Sequence, residues 1–380
     1  MIDSARLPGF DDVIPLDLQR HEVDSQWMEN RFWLVSLSLA CWSLIGLNAG
    51  TTLPVSRLEA VHVAEIHSGR VASEVRILGS GAKAHYLVTV GRGDSFAIDA
   101  NHGRLVEARR RAPGESYRWP GIRVVAHRGG VSLGPPENTL PAISKAIEVG
   151  ADLIEVDIRE SSDGHLVLMH DRSVDRTTDG KGRVENLTLA EILKLEVKGS
   201  GDEMIRVPRI EEALRLMKGR IDADLDFKEG DLMKLITAVR NAGMEDHVTM
   251  HSSWERCAML VDLEPRIRIR PTVDHSNQVR DLISRIRPAM VNFDWHSVTE
   301  ASVRSAHLGG CLAFVNCLGS ADTDFYVREA IRIGADYIQS DRPDRVLEIL
   351  AELGLRREGP VLGSALDTPL RHNRLGYPLR

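Results

Sequence analysis

A chain of 380 residues with 43% hydrophobic composition is long enough to bury a large core and to hold more than one domain. Its formal net charge of -7 and pI near 6.1 exclude broad nucleic-acid binding, which needs a basic surface, and point to small-molecule partners. Four cysteines are too few to frame a disulfide-held module.

Residues 1–49 read as an N-terminal extension carrying an export signal or membrane anchor. The apolar run from Phe32 to Leu47, FWLVSLSLACWSLIGL, has the length of a signal-peptide core and is slightly short for a spanning helix. Residues 1 to 27 carry six acids and two arginines, against the basic flank that such signals show. Met28 resolves the conflict. A start there reads MENR, then the apolar core, then LNAGTT, and places cleavage near Ala49. An uncleaved membrane tether is the alternative, and lipid modification of Cys41 is disfavoured because Trp42 and the apolar residues after it continue the buried run. Either way the globular part is expected outside the cytoplasm, whether periplasmic, secreted or membrane-anchored.

Residues 55–107 form a unit of their own. SRLEAVHVAEIHSG predicts a helix with Leu58, Val61, Ala64 and Ile66 as its apolar stripe, Ser56 as its cap and Glu59 completing a capping box. The partly alternating segments SEVRIL, AHYLVTV and SFAID, separated by glycine-rich turns, predict a meander packed on that helix. This order, with Tyr86 in the YLVTV strand and Asp99 ahead of Gly103 in IDANHGRLVE, resembles the PepSY domain. The resemblance implies a non-catalytic, exported module that binds or inhibits a protein partner. His62, His67, His85 and His102 lack metal-ligand spacing. The run from Ala108 to Pro120, with three consecutive arginines, predicts a solvated linker, a weak contact with anionic lipid being the other use for its charge.

From Gly121 to Leu350 strand-like runs alternate with helical ones, the pattern of an α/β fold with a parallel sheet. RVVAH, LIEVDI, IDADLDF, HVTMHS, RIRIR, MVNFD, LAFVN and DYIQS supply eight strands, which fit a TIM barrel. LVLMH follows LIEVDI after the short turn ESSDGH. A parallel crossover needs about a dozen residues, so this segment is expected to return as an antiparallel hairpin over Asp163-Gly164. Residues 351–380, rich in Gly, Pro and Arg from Gly354 onward, predict a loose tail. Cys257, Cys311 and Cys317 read as small core hydrophobes, the last two about 20 Å apart along an extended strand.

Ionisable residues fall at the strand ends, where a barrel carries its chemistry. His127 and Arg128 close the first strand, Glu155 and Asp157 the second, Asp226 and Lys228 the third, and His170 the hairpin; residues two apart face the same way. Three carboxylates at one mouth repel unless a cation neutralises them, and oxygen donors suit a hard ion. Glu155, Asp157 and Asp226 are therefore expected to hold one divalent cation, Ca²⁺ or Mg²⁺, with a structural network to Lys228 and Arg128 as the alternative. Asp224 and Asp222 continue that face deeper into the barrel, where a supporting role is expected of Asp224 with an extra metal ligand as the alternative. His127 and His170 suit proton transfer in both directions near neutral pH, while Arg128 and Lys228 offer positive charge to a phosphate. Together they describe phosphodiester cleavage.

These residues lie in motifs that resemble the glycerophosphodiester phosphodiesterase family. The motifs are His127-Arg128-Gly129, Glu137-Asn138-Thr139, Glu155-x-Asp157, Asp163-Gly164, His170-Asp171, Arg176-Thr177-Thr178, Val207-Pro208 with Glu211-Glu212, and Gly334-Ala335-Asp336 through Ser340-Asp341-Arg342-Pro343. The resemblance covers nearly the whole barrel and implies the PLC-like phosphodiesterase type of TIM barrel. It also implies metal-dependent hydrolysis of glycerophosphodiesters to glycerol 3-phosphate and an alcohol, with His127 and His170 as the acid and base pair. By analogy His127 activates the nucleophile, water or a glycerol hydroxyl, and His170 protonates the departing alcohol, or the reverse.

Two departures stand out against the family. Asp226 takes the place of a glutamate and is one methylene shorter. A late-strand tryptophan is missing from LAFVN, leaving Phe314 as the nearest aromatic for substrate binding. Asn138 or Thr139 is expected to cap the next helix, with Glu137 touching the site as the alternative. The segment from Arg172 to Pro208 resembles the family's insertion over the barrel mouth. Rival readings are a phospholipase D-like enzyme acting on lysophospholipid or sphingolipid, a non-catalytic binding protein on the same fold, and a scaffold whose barrel is secondary. The ENT and RTT motifs argue against the first, and the full set of histidines and carboxylates against the second.

Overall fold

The computed structural model describes residues 53–68, 72–90, 94–109, 116–118, 121–199 and 204–356. The expected export signal, the Met28 start and Cys41 lie outside these residues. Among the described residues no helix is long and apolar enough to cross a membrane.

The N-terminal unit is one helix, α1 (Arg57–Ser68), on an antiparallel meander of β1 (Ala72–Leu78), β2 (His85–Val90), β3 (Asp94–Asp99), β4 (Leu105–Arg109) and β5 (Ser116–Arg118). The capping box forms: the Ser56 N–H donates to Glu59 Oε2 at 2.8 Å and the Glu59 N–H to Ser56 Oγ at 3.2 Å. The helix is rotated from the expected stripe. Ala60, Val63 and Ala64 are fully buried whereas Leu58 is 42% exposed, because the small side chains let the helix lie close against the sheet. Tyr86 spans the unit, its hydroxyl donating to the Val55 carbonyl at 2.7 Å. Strand β5 lies inside the expected linker and pairs with β4, so the sheet runs further than the sequence reading placed it.

The barrel strands are β6 (Arg123–Ala126), β7 (Leu153–Glu160), β9 (Asp222–Phe227), β10 (Val248–His251), β11 (Arg268–Ile269), β12 (Thr272–Val273), β13 (Met290–Asp294), β14 (Leu312–Cys317) and β15 (Tyr337–Ser340). Their order around the sheet is β11-β10-β9-β7-β6-β15-β14-β13-β12, all parallel. The ring closes because β11 and β12 are halves of one stretch split at Pro271. On one side the Arg270 N–H donates to the Met250 carbonyl at 2.9 Å; on the other, the Pro271 carbonyl accepts from the Asn292 N–H at 3.0 Å. Proline has no N–H to continue the first ladder, so the chain changes partner there. The expected hairpin forms as β8 (Leu166–Leu168), antiparallel to the end of β7.

The outer helices are α2 (Leu140–Val149), α4 (Ile210–Met217), α5 (Leu232–Ala242), α6 (Trp254–Leu263), α7 (Gln278–Ile286), α8 (Glu300–Leu308), α9 (Asp324–Arg332) and α10 (Pro343–Glu352). They bury two large apolar layers against the strands. The insertion after His170 has a small core of its own, with Val174, Val184, Ile192, Val197 and Val207 packed around the short helix α3 (Leu189–Ile192). The start of the expected tail is anchored rather than loose: Arg356 Nη1 donates to Asp152 Oδ2 at 2.6 Å. Cys257, Cys311 and Cys317 are free and buried, and burial pushes their thiols up to about 12.

The N-terminal unit docks where β14 and β15 begin, the end of the barrel opposite its mouth. Arg104 Nε lies 2.6 Å from Asp336 Oδ1, and its guanidinium also donates to the Gly334 carbonyl. His307 is wedged between the two parts, Nε2 2.7 Å from Asp336 Oδ2 and Nδ1 2.8 Å from the His102 carbonyl.

Candidate active site

The site begins where β6 breaks into a tight turn at His127–Gly129. Arg128 adopts φ 52°, a left-handed conformation that a long side chain rarely takes, and its N–H thereby points at Glu155 Oε2, 2.8 Å away. Gly129 follows at φ 87°, where a Cβ would sit 2.7 Å from the Ala142 methyl. Only glycine fits.

Both histidines are oriented by carboxylates. His127 Nδ1 lies 2.6 Å from Asp341 Oδ1, at the end of β15, and His170 Nδ1 lies 2.7 Å from Asp171 Oδ1. An ionised carboxylate accepts the Nδ1 hydrogen, which leaves Nε2 of each ring for proton transfer. His127 Nε2 is 3.9 Å from Glu155 Oε2, so this imidazole borders the acidic cluster.

An arginine from the insertion ties the halves of the site together. Arg176 donates to Asp171 at 2.6 and 3.1 Å and to Glu137 at 2.7 and 2.9 Å, and Glu137 in turn accepts from Arg128 Nη1 at 3.0 Å. A continuous chain of charges runs from His170 to Arg128. The hydrogen bond from Arg176 is the main reason that the Asp171 carboxyl is held well below the usual carboxylate range. Burial pushes Glu137 up, but Arg176 and Arg128 outweigh it and the carboxyl is net lowered.

Glu155, Asp157 and Asp226 converge, one oxygen from each lying within 4.8 Å of the others, and all three are buried. Burial first, then the charges of Asp157, Asp226 and Asp224, push Glu155 well above its ordinary value. Burial also pushes Asp226 up, but His251 and Lys228 outweigh it and hold this carboxyl well below the usual range. Lys228 touches Asp226 Oδ2 and places Nζ 3.1 Å from Asp157 Oδ1. Asp157 Oδ1 is nonetheless buried without a well-aligned hydrogen bond. An all-oxygen set of three buried carboxylates that repel one another fits a hard divalent cation.

Thr139 caps α2, its hydroxyl accepting from the Ala142 N–H at 3.3 Å, and so frees its neighbours for the site. Asn138, at φ 57°, braces Asp157 twice: its Oδ1 accepts from the Asp157 N–H at 3.0 Å and its Nδ2 donates to Oδ2 at 2.7 Å. A small pocket lies between this loop and the insertion, lined by Glu137, Asn138, His170 and Thr177 among others.

Phe314 does not join these residues. It is fully buried inside the barrel, stacked on Tyr337 at 5.6 Å and lying beneath the Arg270 guanidinium at 4.0 Å. By the two-residue period the mouthward position on its strand belongs to Asn316, which donates to Asp294 at 2.7 Å. Asp224 is taken up by Arg270 in the supporting role expected of it. Asp341, Asp171, Arg176 and His251 also shape the site without having been assigned roles from the sequence. The first three lie in motifs already noted, and His251 ends the fourth strand where the same alternation puts a mouth residue.

Carboxylate-oriented histidines, an acidic triad and basic groups at the C-terminal ends of eight parallel strands define a barrel of the PLC-like phosphodiesterase type. The chain belongs to the glycerophosphoryl diester phosphodiesterase family, whose family model matches residues 127–344. A glycerophosphodiester phosphodiesterase of Caldanaerobacter subterraneus subsp. tengcongensis is 39% identical over 142 residues, 34% of this chain and 57% of that protein. Human glycerophosphodiester phosphodiesterase 1 is 57% identical over 74 residues, 20% of this chain and 22% of that protein. These matches thus span less than two thirds of either relative. The crystal structure of a glycerophosphodiester phosphodiesterase from Agrobacterium tumefaciens str. C58 superposes with a TM-score of 0.53 at 30% identity, covering 59% of this chain and 98% of that one.

Proposed function

We propose that the barrel hydrolyses glycerophosphodiesters to glycerol 3-phosphate and an alcohol, using His127 and His170 as the acid and base pair. The observation that carries this reading is the pairing of two carboxylate-oriented imidazoles with a buried acidic triad beside Arg128 and Lys228. Family membership supports the reaction class. His127 Nε2 takes a proton from water as its oxygen bonds to phosphorus; the phosphorus–oxygen bond to the alcohol breaks, and His170 Nε2 gives the alcohol its proton. A glycerol hydroxyl as nucleophile and the reversed order of the two histidines fit the same geometry. Arg128 and Lys228 hold the phosphate oxygens. Glu155, Asp157 and Asp226 would hold one Ca²⁺ or Mg²⁺, which would neutralise the triad and supply Lewis-acid chemistry at the phosphate.

The N-terminal unit acts in this reading as a PepSY-like module for a protein partner. Its docking at the barrel base, away from the mouth, supports a role apart from the chemistry. The apolar run of residues 32–47 supports export of the chain, with or without a retained tether.

The test is release of glycerol 3-phosphate from glycerophosphocholine by the full chain, with and without a chelator. Activity that falls on chelation, returns with Mg²⁺ or Ca²⁺ and disappears in His127→Ala and His170→Ala supports the proposal. Absent turnover across several diesters favours a binding protein, chelator-insensitive turnover overturns the metal dependence, and turnover confined to lysophosphatidylcholine or sphingomyelin favours the phospholipase D-like alternative.

A further inference from the structure

A third histidine faces the acidic triad. His251 ends β10 beside Asp226, its register partner on β9, with Nε2 2.8 Å from Thr272 Oγ1 and Nδ1 buried in close contact with Asp226 Oδ1, 3.1 Å away though off the line of a well-aligned hydrogen bond. These contacts assign the tautomer. A lone pair on Nδ1 would face the lone pairs of a carboxylate, so Nδ1 carries the hydrogen. The other side of the ring agrees: Thr272 Oγ1 already accepts from Asn292 Nδ2 at 2.7 Å, which leaves its own hydrogen for Nε2.

The chain of bonds continues inward. Arg270 Nη1 donates to Asn292 Oδ1 at 2.6 Å and so fixes which way that amide points. Arg270 is anchored in turn by its Nε on Asp224, at 2.9 and 2.8 Å, and is itself 2% exposed. A rigid sequence Asp224, Arg270, Asn292, Thr272, His251 therefore ends on the triad carboxylate that is one methylene shorter than the glutamate usual in this family. His251 stands outside the group whose ligand atoms all converge within 4.8 Å of one another, so it works on the Asp226 carboxylate beside that group.

We propose that His251 is a positioning residue that clamps Oδ1 of Asp226, aims this short carboxylate into the triad and thereby sets the affinity of the site for its cation. The proposal rests on the triad being the metal site. Groups that orient a ligand typically contribute about 10- to 100-fold in metal affinity.

The test is calorimetric titration of Mg²⁺ and of Ca²⁺ into the full chain carrying His251→Ala, His251→Asn or His251→Gln, with thermal melting in chelator to compare folding. An asparagine amide nitrogen falls where Nδ1 stands and keeps the donor to Asp226, whereas a glutamine nitrogen falls where Nε2 stands and keeps only the bond to Thr272. Weakening by about 10- to 100-fold in the alanine and glutamine variants, with most of the affinity retained in the asparagine variant, supports the proposal. If alanine prevents folding, the asparagine and glutamine pair carries the same comparison. Unchanged affinity in the alanine variant, or glutamine performing as well as asparagine, overturns the proposal and leaves the triad reading standing. An unaltered chain that binds neither cation overturns both.

Discussion

Replacing Asp341 by asparagine keeps the shape of the group that faces His127 and removes its charge. The contact is short, 2.6 Å, between side chains that are 12% and 28% exposed, so solvent screens it little. Burial pushes the Asp341 carboxyl up, yet the hydrogen bond and charge of His127 and the charge of Arg128 outweigh it and hold the carboxyl below its ordinary value. A hydrogen bond to a charged group contributes about 1.5–3 kcal/mol, so losing it should cost roughly 10- to 150-fold in kcat/KM. The amide has a second effect: if it turns its NH₂ toward Nδ1, the ring hydrogen moves to Nε2 and the base is blocked. The same exchange in a Ser-His-Asp triad costs about 10⁴-fold, which is the upper bound here. Asp171→Asn should cost less, about tenfold, because His170 is 34% exposed and its pair is better screened. Initial rates of glycerol 3-phosphate release, with melting curves to confirm folding, give both numbers. An Asp341→Asn chain with near-normal turnover, or an Asp171→Asn loss larger than that of Asp341→Asn, would refute the assignment of His127 as the more tightly oriented base.

Phe314→Leu should lower stability by about 1–3 kcal/mol, since Phe314 is fully buried beneath Arg270, and should leave KM unchanged. Urea unfolding and steady-state kinetics on the same sample separate these effects; a raised KM with intact stability would return Phe314 to the substrate pocket. Asp336 at the junction supplies a pH test: burial pushes its carboxyl up, but Arg104 and His307 outweigh it and the folded value lies below the ordinary 3.8. A lowered carboxylate contributes stability above its unfolded value, and that contribution is lost as pH falls through the folded value, so stability should fall away below pH 3.8. Asp336→Asn should lose about 3–5 kcal/mol at neutral pH, where Arg104 is left without its buried partner, and should show a flatter acid limb; parallel limbs in the two proteins would disprove the linkage.

Local periodicity made much of the barrel legible. Eight apolar runs with turn residues between them identify the strands, and a two-residue alternation puts His127, Glu155, Asp157, Asp226 and Lys228 at their ends before any folding is considered. The short turn at Asp163-Gly164 likewise makes the hairpin antiparallel, because a chain that short can only double back. The partners of those residues were not legible. Asp341 lies 214 positions from His127, and nothing in its own neighbourhood says which histidine it will meet.

The helix α1 shows a limit of the same kind. Its sequence allows several stripes, and only the space above the sheet selects Ala60, Val63 and Ala64 over Leu58. The depth of a residue inside a closed barrel is another such quantity. It depends on the stagger of all the strands together, which is why Phe314, named only as the aromatic nearest the family's tryptophan position, lies beneath Arg270 once the ring closes. Residue type and strand position are local properties, so the candidate groups and their place at the strand ends could be read along the chain. Closure of the barrel decided which carboxylate orients which histidine, where the N-terminal unit docks and that a third histidine braces Asp226, since each depends on contacts between distant strands.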